Sequence, residues 1–296
     1  MKKYKMEHLQ QNFEKLLIDY PEIKNALPDG CDARKLLIGD FKYLVKVYIA
    51  FTGVIAGKDA ATGKAIREAF IRRGFNYENH KEIIRKFLTD TTNGFEIYNC
   101  VYCDLEDVTT FTKADGTKVR KFETEHVLDK GECPLVSLSL YNFVPSCGTC
   151  NGPAIKGTKT IGDTEDEIAR LSPSADGYNF EGKVRFVVKL INPNAADLRA
   201  TTHLMDYEVD FEVKEAIYQK TINLFELKSR YNVDKYKAEL LKWREKRRSN
   251  PDNIVQQFAD IKHVTFNEMF EEMFELELRK RAHSTMEKAR RDIMML

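Results

Sequence analysis

Along the first part of the chain, apolar side chains return every three or four positions: Phe13, Leu16, Leu17 and Tyr20, then Leu36, Leu37, Phe41, Leu44 and Val45, later Ile83, Ile84, Phe87 and Leu88. That spacing predicts helices with one buried face, and hence a helical N-terminal lobe over residues 1–96. Pro28-Asp29-Gly30 and Thr91-Thr92-Asn93-Gly94 are turn signals, and the second marks a change of pattern. Beyond it, Val108–Thr112 and Val119–Glu123 are rich in β-branched and aromatic residues and are separated by Asp115-Gly116, which predicts a β-hairpin. His126 follows its second strand. The run from Cys150 to Lys156 can begin a short helix, with Pro153 tolerated only in a first turn. Lys183–Ile191 and Tyr207–Val213 read as two further strands, and helices are expected over Lys214–Lys228, Lys235–Arg247 and from Phe266 to the C-terminus. The expected organisation is therefore four consecutive blocks: 1–96 helical, 97–160 mixed, 161–213 a small β segment and 214–296 helical.

Composition narrows the picture only a little. The apolar and charged fractions of the 296 residues are those of a soluble globular protein. The basic N-terminus runs directly into polar residues and does not read as a signal peptide. Tyr43–Ala56, the longest apolar stretch, is broken by Lys46, Thr52 and Gly53 and is too short to span a bilayer; a cytoplasmic protein without a membrane segment is expected. Gly57–Ala65 resembles a phosphate loop only superficially, because five residues separate its glycines, Ala65 stands at the Ser/Thr position and no strand precedes it. The formal net charge of +1 gives no electrostatic footprint of a nucleic-acid protein. One local basic cluster surrounds Trp243: Lys237, Lys242, Arg244, Lys246, Arg247 and Arg248. It is either a solvated helix face or a phosphate-binding one.

Cysteine usage changes the picture most. Cys100/Cys103 and Cys147/Cys150 are two Cys-x-x-Cys pairs, and two such pairs can complete a closed tetrahedral Zn²⁺ site of the structural kind. With four thiolates the metal has no open position, so chemistry must come from residues between the pairs. Cys31 and Cys133 are expected to be ordinary packed thiols. Four of six cysteines in metal-type pairs suit a reducing compartment better than a disulfide framework.

Between the pairs stand Glu125-His126-Val127-Leu128-Asp129-Lys130 and Leu138-Ser139-Leu140-Tyr141-Asn142-Phe143-Val144-Pro145-Ser146, and after the last cysteine come Asn151 and Lys156-Gly157. This order of pair, acid-His, Leu-Tyr-Asn, pair, Asn and Lys-Gly resembles the HNH endonuclease family in its four-cysteine form, over about sixty residues. The resemblance implies an α+β protein with a central ββα-metal unit, stapled by a Cys₄ zinc and flanked by helical N- and C-terminal lobes. It also implies a separate catalytic ion, Mg²⁺ or Mn²⁺.

Carried over by matched position, the resemblance makes His126 the general base, Glu125 and Asn151 the oxygen ligands of the catalytic ion, and Asn142 the residue that orients the His126 loop. Lys156, and more weakly Lys159, would lie near a phosphate. These residue types suit phosphodiester hydrolysis, which needs a base for water and a cation for the phosphate and leaving oxygen. The family usually has Asp before the histidine, and Glu125 adds one methylene. Asn151 replaces the frequent third-letter His, and its spacing to Lys156 is somewhat long.

The expected function is metal-dependent cleavage of DNA, one strand per site, so that cutting both strands would take a homodimer or two events. Anti-phage defence or restriction is the family's common setting, in which a protein partner from a multi-subunit system could supply part of the DNA grip. The alternatives are a zinc-supported nucleic-acid-binding module that does not cut, and a zinc-stapled interaction protein with helical arms.

Overall fold

The computed structural model describes residues 3–93, 98–191, 204–276 and 285–295. Gly94 of the second turn signal, and residues 277–284 of the helix expected to run on from Phe266, lie outside these. Among the described residues, helices are combined with three two-stranded antiparallel sheets. In chain order the strands are β1 (Thr110–Thr112), β2 (Lys118–Arg120), β3 (Glu123–His126), β4 (Phe143–Ser146), β5 (Val184–Leu190) and β6 (Tyr207–Val213). They pair β1–β2, β3–β4 and β5–β6. No helix among the described residues is long and apolar enough to cross a membrane.

The chain divides into two compact units, each drawn from two stretches rather than from consecutive blocks. The first comprises residues 1–95 and 122–178. Its N-terminal helices are Lys3–Asp19, Pro21–Ala26, Ala33–Ile38, Phe41–Ala56, Ala60–Arg72 and Lys81–Leu88. Asp32, Asp40 and Asp59 cap three of them, each accepting backbone N–H groups from the first turn. The cap at Asp59 explains the Gly57–Ala65 segment, which turns the chain into a helix. Phe13, Phe51, Phe70 and Phe75 pack ring on ring in the core of this unit, all at most 1% exposed.

The second unit comprises residues 96–121 and 179–296. It contains the β1–β2 hairpin, turned as expected at Asp115-Gly116: Gly116 has φ +81°, and Asp115 Oδ1 accepts the Thr117 amide. β5 and β6 pair in full register from Val184↔Val213 to Leu190↔Tyr207. Phe186 and Phe211 stack with Tyr231 over one face of that sheet.

The basic cluster around Trp243 lies on the helix Asp234–Ser249, which packs against Glu287–Met294. Arg247 donates to the carbonyls of Met294 and Asn250 and pairs with Asp252. Lys237 is buried, with its ammonium on the Leu204 carbonyl. Arg248 pairs with Glu245, Lys246 with Glu275, and the Arg290 guanidinium lies 3.7 Å from the Trp243 ring centre. Lys237 and Arg247 are thereby committed to internal partners, while Lys242, Lys246 and Arg248 sit in exposed pairs with Glu239, Glu275 and Glu245.

Candidate active site and four-cysteine cluster

Two expectations about local structure need correction. Val119–Glu123 does not form one strand: pairing with β1 stops at Arg120, and a new strand starts at Glu123 in a different sheet. His126 therefore sits within β3, at the end of its pairing with β4, opposite Phe143, with Glu125 opposite Val144. The helix after the second cysteine pair begins earlier than expected and is shorter, spanning Gly148–Asn151 with Cys147 as its cap. Gly152-Pro153 ends it, since proline disfavours helical geometry in the residue before it. The resulting order is strand, loop, strand, short helix, and that helix packs against β3.

Glu125 and His126 are adjacent on a strand, so their side chains leave on opposite faces. The Glu125 carboxylate is 2% exposed and meets the ammonium of Lys156, with Nζ 2.5 Å from Oε1. This is an ion pair by distance but lacks the directional geometry of a hydrogen bond. Burial raises the Glu125 carboxyl to about 7 against the pull of Lys156. Lys156 also donates to the His126 carbonyl at 3.1 Å. The phosphate role expected for Lys156 is thereby corrected: its side chain is wholly buried and both its partners are internal. Lys159 is exposed and donates to Ile155 O, one turn back.

The His126 ring is wedged between Tyr77, centroid 4.6 Å away and nearly perpendicular, and Phe143 at 5.1 Å. Its Nε2 is 3.1 Å from the Ser137 carbonyl oxygen. A carbonyl can only accept, so Nε2 carries the proton and Nδ1 is the basic nitrogen. Burial, followed by the charge of Lys130, lowers the imidazole to about 3, so it is neutral at pH 7. Ser137 is held in turn by its hydroxyl on Phe75 O.

Asn142 is fully buried and ties the His126 loop together. Its Oδ1 accepts the Leu128 amide at 2.8 Å, and its Nδ2 donates to Leu128 O and Val136 O, each at 3.0 Å. The main chain adds Val127 N to Asn142 O. Asn151 ends the short helix, half-buried; among the described residues its side chain makes no hydrogen bond to Glu125 or His126. Lys156 thus ties the Glu125 carboxylate to the His126 carbonyl, Asn142 clamps the loop that follows His126, and Asn151 lies on the short helix.

Cys100, Cys103, Cys147 and Cys150 are all buried, and their sulfurs lie within 4.8 Å of one another. A Zn–S bond of about 2.3 Å would put the sulfurs of a tetrahedral site roughly 3.8 Å apart, so the cluster can hold a metal ion such as zinc. Cys147 Sγ accepts the Cys150 amide and Cys103 Sγ the Leu105 amide. Asp104, in the left-handed region at φ +54°, closes the first pair's turn by donating its amide to Cys100 O.

Sequence reasoning missed Tyr77, Phe75 and Ser137. Tyr77 and Phe75 come from the far upstream N-terminal helical region, and no local signal ties them to His126. Lys130 was inside the motif string, four residues after the histidine, without a role.

Comparison with protein-family models, with curated proteins and with solved structures gave no match.

Proposed function

We propose that the chain is a metal-dependent HNH-type endonuclease that hydrolyses phosphodiester bonds in DNA, with a zinc in the four-cysteine cluster as a folding staple. The observation that carries this reading is the state of His126. Its Nε2–H is anchored on Ser137 O, so Nδ1 is the nitrogen that can take a proton, while the burial that lowers the imidazole to about 3 weakens it as a base. An ordinary packed histidine has no need of an asparagine clamp on the loop that follows it. His126 Nδ1 removes the proton from the attacking water, the Ser137 carbonyl steadies the imidazolium that results, and Asn142 keeps the 127–136 loop from swinging.

Glu125 and Asn151 offer a carboxylate and an amide oxygen, hard donors of the kind Mg²⁺ or Mn²⁺ takes. With Oε1 committed to Lys156, Glu125 has Oε2 left for such an ion. A divalent ion there would supply positive charge for the phosphate and the leaving oxygen. Restriction or anti-phage defence, a protein partner and a homodimer belong to the same reading and rest on the resemblance alone.

A second reading, a zinc-supported nucleic-acid-binding module without cleavage, is favoured by one fact: the Glu125 carboxylate already has a cation beside it in Lys156. Supercoiled plasmid incubated with Mg²⁺ or Mn²⁺ separates the two. Nicking that is lost in His126→Ala and on chelation supports the nuclease; binding with no nicking in either metal supports the module.

A further inference from the structure

Hydrolysis of a phosphodiester requires a cation against a non-bridging oxygen, close to the base that activates water. Lys156 cannot supply it, being wholly buried on internal partners, and Lys159 points its ammonium at its own preceding turn. Lys130 is differently placed. It follows His126 by four residues, in the loop whose Leu128 amide and carbonyl are held by Asn142. Immediately around it, Asp129 Oδ1 accepts the amides of Gly131 and Glu132, which fixes the turn on either side of Lys130.

The Lys130 ammonium lies 4.1 Å over the Tyr77 ring, and that same ring packs edge-on against the His126 imidazole. One aromatic ring therefore separates the cation from the base. Nζ is also 3.5 Å from Glu78 Oε1, while the other oxygen of that carboxylate takes Lys81 at 3.0 Å. Two ammonium groups thus share the Glu78 carboxylate, and the Asp129 carboxylate beside Lys130 in sequence is engaged through Oδ1 by the amides of Gly131 and Glu132. The Lys130 side chain is 39% exposed, in contrast to Tyr77 at 6% and His126 at 8%. Its charge is the second cause, after burial, that lowers His126, and it slightly opposes the rise of Glu125.

We infer that Lys130 is the phosphate-binding cation of this site, held over Tyr77 and steered by Glu78, and that it grips a backbone phosphate of the nucleic acid beside His126. The inference rests on the nuclease reading and fills the role that Lys156 does not. A half-exposed ion pair with Glu78 is weak enough to be exchanged for a phosphate, and the cation–π contact with Tyr77 restricts where the ammonium can go without consuming its donors.

The test compares Lys130→Met, which keeps the stem over Tyr77 and removes the charge, with Lys130→Arg, which keeps the charge. Binding of a short fluorescein-labelled DNA duplex and of its single strand is followed by anisotropy across a salt series, in a His126→Ala background so that nothing turns over. Plasmid nicking is followed in the otherwise unaltered protein. Lys130→Met should lower the slope of log affinity against log salt by about one and reduce kcat/KM about 10- to 100-fold, while Lys130→Arg stays near the parent. Thermal unfolding of each variant checks the fold, with Lys130→Gln repeating the measurement should Met perturb it. If the parent nicks plasmid and Lys130→Met matches it in slope and in kcat/KM, the inference is overturned and the nuclease reading stands. Equal losses in Met and Arg would make Lys130 a packing residue and likewise overturn it. Should the parent bind with a Lys130-dependent slope but never nick, the inference holds and the cleavage reading falls; a parent that neither binds nor nicks removes both.

Discussion

Lys156 Nζ stands 2.5 Å from Glu125 Oε1 with both side chains withdrawn from solvent, so the acid of the acid-His pair is held by a lysine thirty-one residues further along. Removing one member of a buried pair leaves the other charged and uncompensated, typically at about 3–5 kcal/mol, whereas replacing both can be nearly neutral. Lys156→Met should accordingly destabilise the protein by that order in urea unfolding, and Glu125→Gln/Lys156→Met should recover most of the loss. Additive losses in this double-mutant cycle would show that the pair is not coupled.

The two titrating groups on β3 oppose each other. His126 has its folded value lowered to about 3 from 6.5, so between those pH values the unfolded chain binds a proton that the folded one does not, and stability falls as pH falls. Glu125 is raised to about 7 from 4.5, so between those values the folded state holds the extra proton, and stability falls as pH rises. From pH 4.5 to 6.5 the contributions largely cancel. His126→Phe, which suits the gap between Tyr77 and Phe143, removes one of them. The stability of the parent relative to this variant should therefore rise with pH across that window, by at most about 1.4 kcal/mol per unit. A difference that is flat with pH would mean that His126 is not held neutral by burial.

Much of the helical framework was legible because amphipathic spacing is a local signal, although Leu36, Leu37, Phe41, Leu44 and Val45, which share that spacing, fall on two helices divided at the Asp40 cap. β5 and β6 were legible for the same reason. The strand that carries His126 was not. Val119–Glu123 reads as one strand through Val119 and Phe122, yet it is shared between two sheets, and the partner of β3 is Phe143–Ser146, too short and too marked by Pro145 to announce a strand. The cysteine spacing pointed directly to the cluster. What the spacing could not reveal was Lys156, since a lysine is expected at the surface and its burial depends on a partner remote in sequence. Tyr77 against His126 is a tertiary contact of the same kind.

Arg247 illustrates a surface charge that turned inward. Its guanidinium serves Met294 O, Asn250 O and Asp252 and lies 5.5 Å from the Phe270 ring centre. Arg247→Ala should lower stability by about 1–3 kcal/mol through the carbonyls left unpaired, and should leave the salt dependence of nucleic-acid binding unchanged. A shallower salt slope with unaltered unfolding would restore the phosphate-binding reading of this helix.

Asn142 offers a test of loop clamping that does not touch the chemistry directly. Asn142→Asp keeps the acceptor for the Leu128 amide but turns the group facing Leu128 O and Val136 O from a donor into an oxygen. Two buried carbonyls would then face a carboxyl group, so the loss should exceed that of Asn142→Ala, which should cost about 2–4 kcal/mol. In nicking assays both variants should lose kcat/KM, because the clamp holds the loop that carries Lys130 and leads into Ser137. Equal stability of the Asp variant and the parent in urea would show that these bonds do not hold the loop.

The four-cysteine cluster yields the last prediction. If Cys100, Cys103, Cys147 and Cys150 hold zinc as a closed tetrathiolate, metal analysis should find about one tightly bound Zn²⁺ per chain, and binding should be coupled to folding. Cys147→Ser removes a ligand while its hydroxyl can still cap the Gly148–Asn151 helix, so any sharp loss of solubility and melting temperature reports the metal site. Cys31→Ser lies outside the cluster and should be mild. The strongest form of the test is chelation followed by readdition: a zinc-specific chelator should lower the melting temperature of the parent, and stoichiometric zinc should restore it, with no requirement for Mg²⁺ or Mn²⁺. Mg²⁺ cannot substitute, because a hard cation has little affinity for four thiolates. Retention of one zinc per chain in Cys147→Ser, or a melting temperature indifferent to chelation in the parent, would remove the staple, and with it the frame in which His126 is read as a base.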